Sequence, residues 1–193
     1  MNIQLINKTL SDFANILNNF KNKNFQKNLI KIAKVINSNL NSQNKILVCG
    51  NGGSAAQASH FSTELVVRFK KKYERKPYNS IALVSDTTLL TAIGNDYGFE
   101  NIFCRQIEGL GKKNDILLLF STSGKSKNLV KAAHQASKME IKTISITGND
   151  GGELKKRTEL NINVQSKDTA RVQECHLYIL HLLIELIEIE NHK

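Results

Sequence analysis

Five short apolar runs, KILVC (45–49), SIALV (80–84), DILLLF (115–120), KTISIT (142–147) and ELNINV (159–164), recur along the chain with helical patterns between them. Runs this unbroken suit strands buried on both faces better than strands with one wet face. Parallel neighbours need a long crossover, and the intervening segments have room for helices. The reading is an α/β fold: a three-layer sandwich with a central five-stranded parallel sheet flanked by helices. A chain of 193 residues suffices for one such core, so residues 1–193 are taken as a single domain.

Before the first run, Leu5, Leu10, Phe13, Ile16, Leu17 and Phe20 keep helical spacing, and a second series follows from Leu29 to Ile36. The Asn/Lys stretch 21–28 divides them into two helices, an N-terminal extension over residues 1–40. Further helices are expected at about 54–70, 88–94, 99–110, 126–139, 152–157 and 169–190. The last carries an apolar stripe through Val172, Leu177, Leu180, Leu183, Ile184 and Ile187. Together with the N-terminal pair it offers more apolar surface than a five-stranded sheet covers, which points to oligomerisation through helices.

Composition narrows the class. The 27 basic against 17 acidic residues give a net charge of +10, but the positive residues are scattered. Their densest cluster, RFKKKYERK (68–76), reads as a short hinge. No nucleic-acid partner is expected, although a lysine-rich surface attracts anionic small molecules. Cys49, Cys104 and Cys175 form no CxxC pair and read as buried thiols. No run has the apolar length to cross a bilayer and the N-terminus lacks signal-peptide features, so a cytoplasmic protein with no membrane partner is expected.

In an open parallel sheet, ligands gather beyond the carboxyl ends of the strands. GNGGS (50–54) follows the first strand; its glycines permit close backbone approach, and Ser54 is expected to cap the next helix. The spacing fits neither a dinucleotide fingerprint nor a P-loop. STSGKS (121–126) places Ser121, Thr122, Ser123 and Ser126 at the mouth of a helix, where hydroxyls and exposed amides make a site for a phosphate dianion. Asn95 and Asp96, in a polar break after Gly94, suit either a polyol contact or an Asx turn. TGNDGGE (147–153) is explained by backbone geometry and is assigned no chemistry.

His60 and Glu64 lie four apart on a predicted helix and share a face. His176 and His181 lie on the last helix, near Gln173, Glu174 and Glu185. Gln173 and His181 are separated by about 12 Å of rise and about 80° of rotation, so one ligand held by both requires facing elements. Zinc accepts imidazole and carboxylate donors, whereas magnesium disfavours nitrogen. The residues alone reach a phosphosugar-binding α/β protein, with a metalloenzyme as an open alternative.

The runs GNGGSAAQASHFSTELVVRF, SDTTLLTAIGNDYGFENIF, STSGKSKNLVKA, TGNDGG and TARVQECHLYILHLLIELIE together resemble the bacterial phosphoheptose isomerases of the sugar isomerase (SIS) domain family. The resemblance implies a flavodoxin-like SIS fold and conversion of sedoheptulose 7-phosphate to D-glycero-D-manno-heptose 7-phosphate, the first step of nucleotide-activated heptose synthesis for lipopolysaccharide, capsule or related glycans. It implies a cytoplasmic homotetramer with sites at subunit interfaces and one zinc per subunit. By match to the family's motifs, Asn51, Gly52, Gly53 and Ser54 border the sugar, Asn95 and Asp96 contact hydroxyls, and Ser121, Thr122, Ser123 and Ser126 hold phosphate. His60, Glu64, Gln173 and His181 match the zinc ligands, with Gln173 also beside substrate. Glu64 and His181 match the acid/base pair, Glu64 at carbon and His181 between oxygens.

Two other readings share the fold. A non-catalytic SIS module that senses a phosphosugar or serves replication initiation keeps the phosphate loop but has less need of Glu64 and His181 together. A hexose-phosphate isomerase or aminotransferase domain is the other, and the chain carries neither a glutaminase domain nor a second SIS copy.

Overall fold

The computed structural model describes residues 2–192. Two helices, α1 (Ile3–Asn19) and α2 (Lys23–Asn41), lead into β1 (Ile46–Gly50), α3 (Gly53–Val66), β2 (Ser80–Ala82), α4 (Thr87–Tyr97), α5 (Cys104–Leu110) and β3 (Ile116–Ser121). The chain continues through α6 (Lys127–Lys138), β4 (Lys142–Gly148), α7 (Leu154–Arg157), β5 (Leu160–Val164) and α8 (Thr169–Glu190).

The five strands form one parallel sheet in the order β2-β1-β3-β4-β5. Chain order reverses between β1 and β3, where Gly50 pairs with Phe120 and both carboxyl ends point the same way. The GNGG and STSG turns therefore leave the sheet side by side at a topological switch point.

Strand residues alternate between two cores, as the pleat requires. Ile46 and Val48 face the layer of α2, α3 and α8, meeting Ile36, Phe61 and Leu183. Leu47 and Cys49 face the opposite layer, meeting Ile107, Leu129 and Leu154. The α/β reading with helices on both faces is thus the observed architecture.

Several boundaries differ from expectation. The break between α1 and α2 is confined to residues 20–22, because the Asn22 side chain accepts the Asn24 amide at 2.8 Å and caps α2 at once. The polar stretch after it is the outer face of α2. The two N-terminal helices also differ in kind. Leu29, Ile32, Ile36 and Leu40 of α2 are buried, each worth about 1.5–3 kcal/mol, whereas no described residue of α1 is buried. On α8, Leu177 lies outside the buried stripe at 37% exposure, while Cys175 and Ile179 lie within it. The second strand is only three residues long, and the helix expected over 99–110 is a 3-10 turn (Phe99–Asn101) followed by α5.

Candidate active site

The turn after β3 is held by its own polar groups. The buried Ser121 hydroxyl accepts the Gly124 amide at 3.0 Å, and the Ser123 hydroxyl accepts the Lys125 amide at 3.2 Å. Ser126 occupies the N-cap of α6 with extended backbone, yet its side chain makes no capping bond. Its hydroxyl therefore caps none of the first-turn amides of α6, and an uncapped helix start is a place that can hold an anion. Gly124 has φ +64°, and a Cβ there would meet the Gly151 carbonyl at 2.0 Å. The glycines of TGNDGG let two backbones touch, so that loop braces the STSG turn.

The GNGG turn behaves similarly. Gly52, not Ser54, is the N-cap of α3; it has φ +56° and offers no side-chain cap. Ser54 is buried inside the first turn, and a Cβ on Gly50 would strike its carbonyl at 2.5 Å. Asn51 and Asn128 exchange amide bonds of 2.9 and 2.8 Å, tying the GNGG turn to the start of α6. Asn128 is passed over by motif reasoning because its partner is 77 residues away.

Helices α3 and α8 run side by side in the same direction. The Gln57 amide donates to the Gln173 carbonyl at 2.5 Å near their beginnings, and farther along His60 meets His181. The His60 Nε2 atom lies 3.2 Å from His181 Nε2 and 3.2 Å from Glu64 Oε1, so carboxylate and second imidazole flank one nitrogen. The Phe69 ring stacks on the other side of His181, centroids 5.1 Å apart. Burial, with the His60 imidazole adding to it, holds the His181 pKa below the ordinary imidazole value against the opposing pull of Glu64. His181 is therefore neutral near pH 7, able to accept at one ring nitrogen and donate at the other.

Gln173 is placed elsewhere. Its side-chain amide covers Gly53, where a Cβ would come within 2.6–2.8 Å of it, about 10 Å of helix rise before His60. Asn95 and Asp96 lie inside the last turn of α4 rather than in a break, and the Asn95 amide donates to the Asp96 carboxylate at 2.8 Å. Thr122 is partly buried beside the brace, its carbonyl against Gly148. A cavity of about 510 Å³ lined by Ile16, Phe20, Phe25, Asn163 and Gln165 contains none of these groups, and the His60 side chain is 40% exposed.

The sequence matches the SIS domain model over residues 10–148. A phosphoheptose isomerase of Helicobacter pylori is 51% identical over 149 residues, 77% of each chain, and one of Campylobacter concisus is 41% identical over 181 residues, 94% of this chain and 90% of the other. The solved phosphoheptose isomerase of Francisella tularensis superposes with a TM-score of 0.92 at 35% identity, covering 98% of this chain and 100% of that one. The chain belongs to the phosphoheptose isomerases of the SIS domain family. It is accordingly an isomerase, and its five-stranded parallel sheet is the SIS-domain sheet of those enzymes.

The STSG and GNGG turns lie beyond the carboxyl ends of β3 and β1, α3 leads from the second of these, and α8, which follows β5, packs against α3. The described helices include none long and apolar enough to cross a membrane.

Proposed function

We propose that the chain interconverts sedoheptulose 7-phosphate and D-glycero-D-manno-heptose 7-phosphate, opening nucleotide-activated heptose synthesis. The observation that carries this reading is Glu64 and His181 standing one hydrogen-bond length from the same His60 nitrogen, on two helices that do not adjoin in sequence. An aldose–ketose conversion moves a proton between adjacent carbons through an enediol, and a second proton between the two oxygens. Glu64 takes the carbon-bound proton and returns it to the neighbouring carbon. The neutral His181 imidazole carries the proton between oxygens. The hydroxyls of Ser121, Thr122, Ser123 and Ser126 hold the phosphate at the far end of the substrate and so fix which carbons reach Glu64. Asn51 with Gly52, Gly53 and Ser54 borders the chain of the sugar, and Asn95 and Asp96 contact its hydroxyls.

The donor set suits zinc. Two ligands of a tetrahedral zinc with bonds of about 2.0–2.1 Å stand about 3.3–3.4 Å apart, close to the 3.2 Å spacings around His60. Among the described residues no three His, Cys, Asp or Glu side chains are gathered as a complete metal site. Closing one around His60, Glu64 and His181 takes rotamer adjustment, and for Gln173 a swing away from Gly53. Bound there, zinc would polarise the carbonyl oxygen. Coordination lowers carboxylate basicity, so Glu64 serves as base only when loosely held.

The half-exposed His60 and the apolar residues Ile3, Leu5, Ile6 and Leu10 that α1 shows to solvent support an assembly of copies in which a neighbour closes each site; the cytoplasmic homotetramer is the form the family resemblance implies. The test is incubation of the purified protein with sedoheptulose 7-phosphate and detection of the aldose. Binding without conversion would favour the phosphosugar-sensing alternative, and conversion of hexose phosphates instead would favour the other.

A further inference from the structure

Glu188, in the last turns of α8, has no solvent exposure, and its partner Arg75 keeps 5%. Glu188 Oε1 accepts the Phe69 amide at 2.9 Å and Arg75 Nε at 3.2 Å, and Oε2 accepts the Lys70 amide at 3.1 Å. Arg75 in turn donates from Nη2 to the carbonyl of Glu64 at 2.7 Å and from Nη1 to the carbonyl of Leu65 at 2.8 Å. Its guanidinium lies over the Tyr78 ring, 4.3 Å from the centroid. The segment 68–76, expected to be a hinge between elements, is instead fastened to two helices at once.

Burying two charges costs more than their attraction commonly returns, and a pair of apolar side chains of similar volume is often the more stable choice. What this pair adds is geometry. The last carbonyls of a helix lack partners, and a cation there meets both the vacant acceptors and the dipole. Arg75 caps α3 at the residue that supplies the proposed base, gripping the main chain of Glu64 itself. Glu188 follows His181 by seven residues, nearly two full turns, and so lies along the same face of α8. By holding the Phe69 amide it also seats the ring that backs His181. One ion pair therefore joins the turn carrying Glu64, the helix carrying His181 and the wall behind that imidazole.

We infer that Arg75 and Glu188 are positioning residues that set the separation and aim of Glu64 and His181. The inference rests on the isomerase reading above. Neither side chain touches the phosphate turn in the bonds that hold it, so loss of the pair should act on turnover and leave phosphate binding alone.

The test compares kcat, KM for sedoheptulose 7-phosphate, calorimetric affinity for inorganic phosphate and melting temperature. The proteins compared are wild type, Glu188→Gln, Arg75→Lys, Arg75→Met and the double Glu188→Met/Arg75→Met variant. A displacement of about 1 Å at the reacting groups costs on the order of a hundredfold in rate, so kcat should fall by that order while KM and phosphate affinity stay within about threefold. Arg75→Lys should fall as far as Arg75→Met, because one ammonium cannot span the two carbonyls and the carboxylate. The double variant should recover the melting temperature without recovering kcat, which a purely structural pair would not do. Folded variants with wild-type kcat, or kcat returning together with stability in the double variant, would overturn the inference. Arg75→Lys, which keeps charge and most of the volume, decides the matter if the methionine variants fail to fold. A wild-type protein without turnover overturns the isomerase reading, and this inference with it.

Discussion

At the scale of single residues, the site depends on groups whose behaviour is set by what surrounds them. Glu64→Gln keeps the shape of the side chain and removes its basicity. It should lower kcat by at least about a hundredfold while the protein still binds inorganic phosphate, and unchanged turnover in the aldose-detection assay would remove Glu64 as base. His176 is the buried counterpart of His181: it has no exposure, neither ring nitrogen has a good hydrogen-bond partner, and it packs 6.1 Å from the Phe120 ring. Burial lowers its pKa to about 4, a weak contact with the Thr147 backbone working the other way. Because the folded value lies below that of the unfolded chain, the neutral form stabilises the fold fully above about pH 6.5. That stability is lost as pH falls toward the folded value of about 4, amounting to about 3 kcal/mol. Urea unfolding of His176→Leu should show a flatter stability profile between pH 6.5 and 4 than the wild type; an equal slope would assign the acid sensitivity elsewhere.

Among elements, the decisive relation is between two turns and two helices. The STSG and GNGG turns meet because β1 and β3 are sheet neighbours, and the brace from TGNDGG follows from β4 lying next to β3. Gly124→Ala places a Cβ against the Gly151 carbonyl at a positive φ, a strain of about 1–3 kcal/mol. Calorimetry should find affinity for inorganic phosphate weaker by about tenfold, with Glu64 chemistry otherwise in place. The strand runs were legible because strands buried on both faces have few polar interruptions. The 68–76 segment was not: its lysines advertise solvent, whereas its fastening depends on Glu188, 113 residues beyond Arg75. The cap of α3 falls on Gly52 rather than Ser54 because the turn needs a positive φ of 56°, which glycine adopts without the cost a Cβ brings, and this sets Ser54 inside the helix.

For the whole molecule, α1 carries unsatisfied apolar surface. It buries no described residue, yet Ile3, Leu5, Ile6 and Leu10 are apolar and exposed. Leu5→Asp with Leu10→Asp should leave the circular dichroism of the fold intact, shift the sedimenting species to a smaller mass and reduce turnover. A variant that sediments like the wild type would rule out α1 as a subunit contact. Removal of metal by a chelator should abolish turnover, with recovery on adding zinc and inorganic phosphate binding unchanged throughout. Full activity after exhaustive chelation would confine any metal at His60, Glu64 and His181 to a structural role.

Local order and ligand type are written in short segments. Alternation of apolar runs with helical patterns determines a parallel α/β core, and hydroxyls and glycines at a strand end determine a tight turn suited to the proposed anion site, because these effects act over one or two turns of chain. The pairing of His60 with His181, the Asn51–Asn128 bridge and the Arg75–Glu188 link span 121, 77 and 113 residues. Spacing along the chain says nothing about such pairs; strand order and the packing of α3 on α8 brought them together. Gln173 makes the same point in reverse, since the helix that carries both it and His181 sets it over Gly53, apart from the histidines.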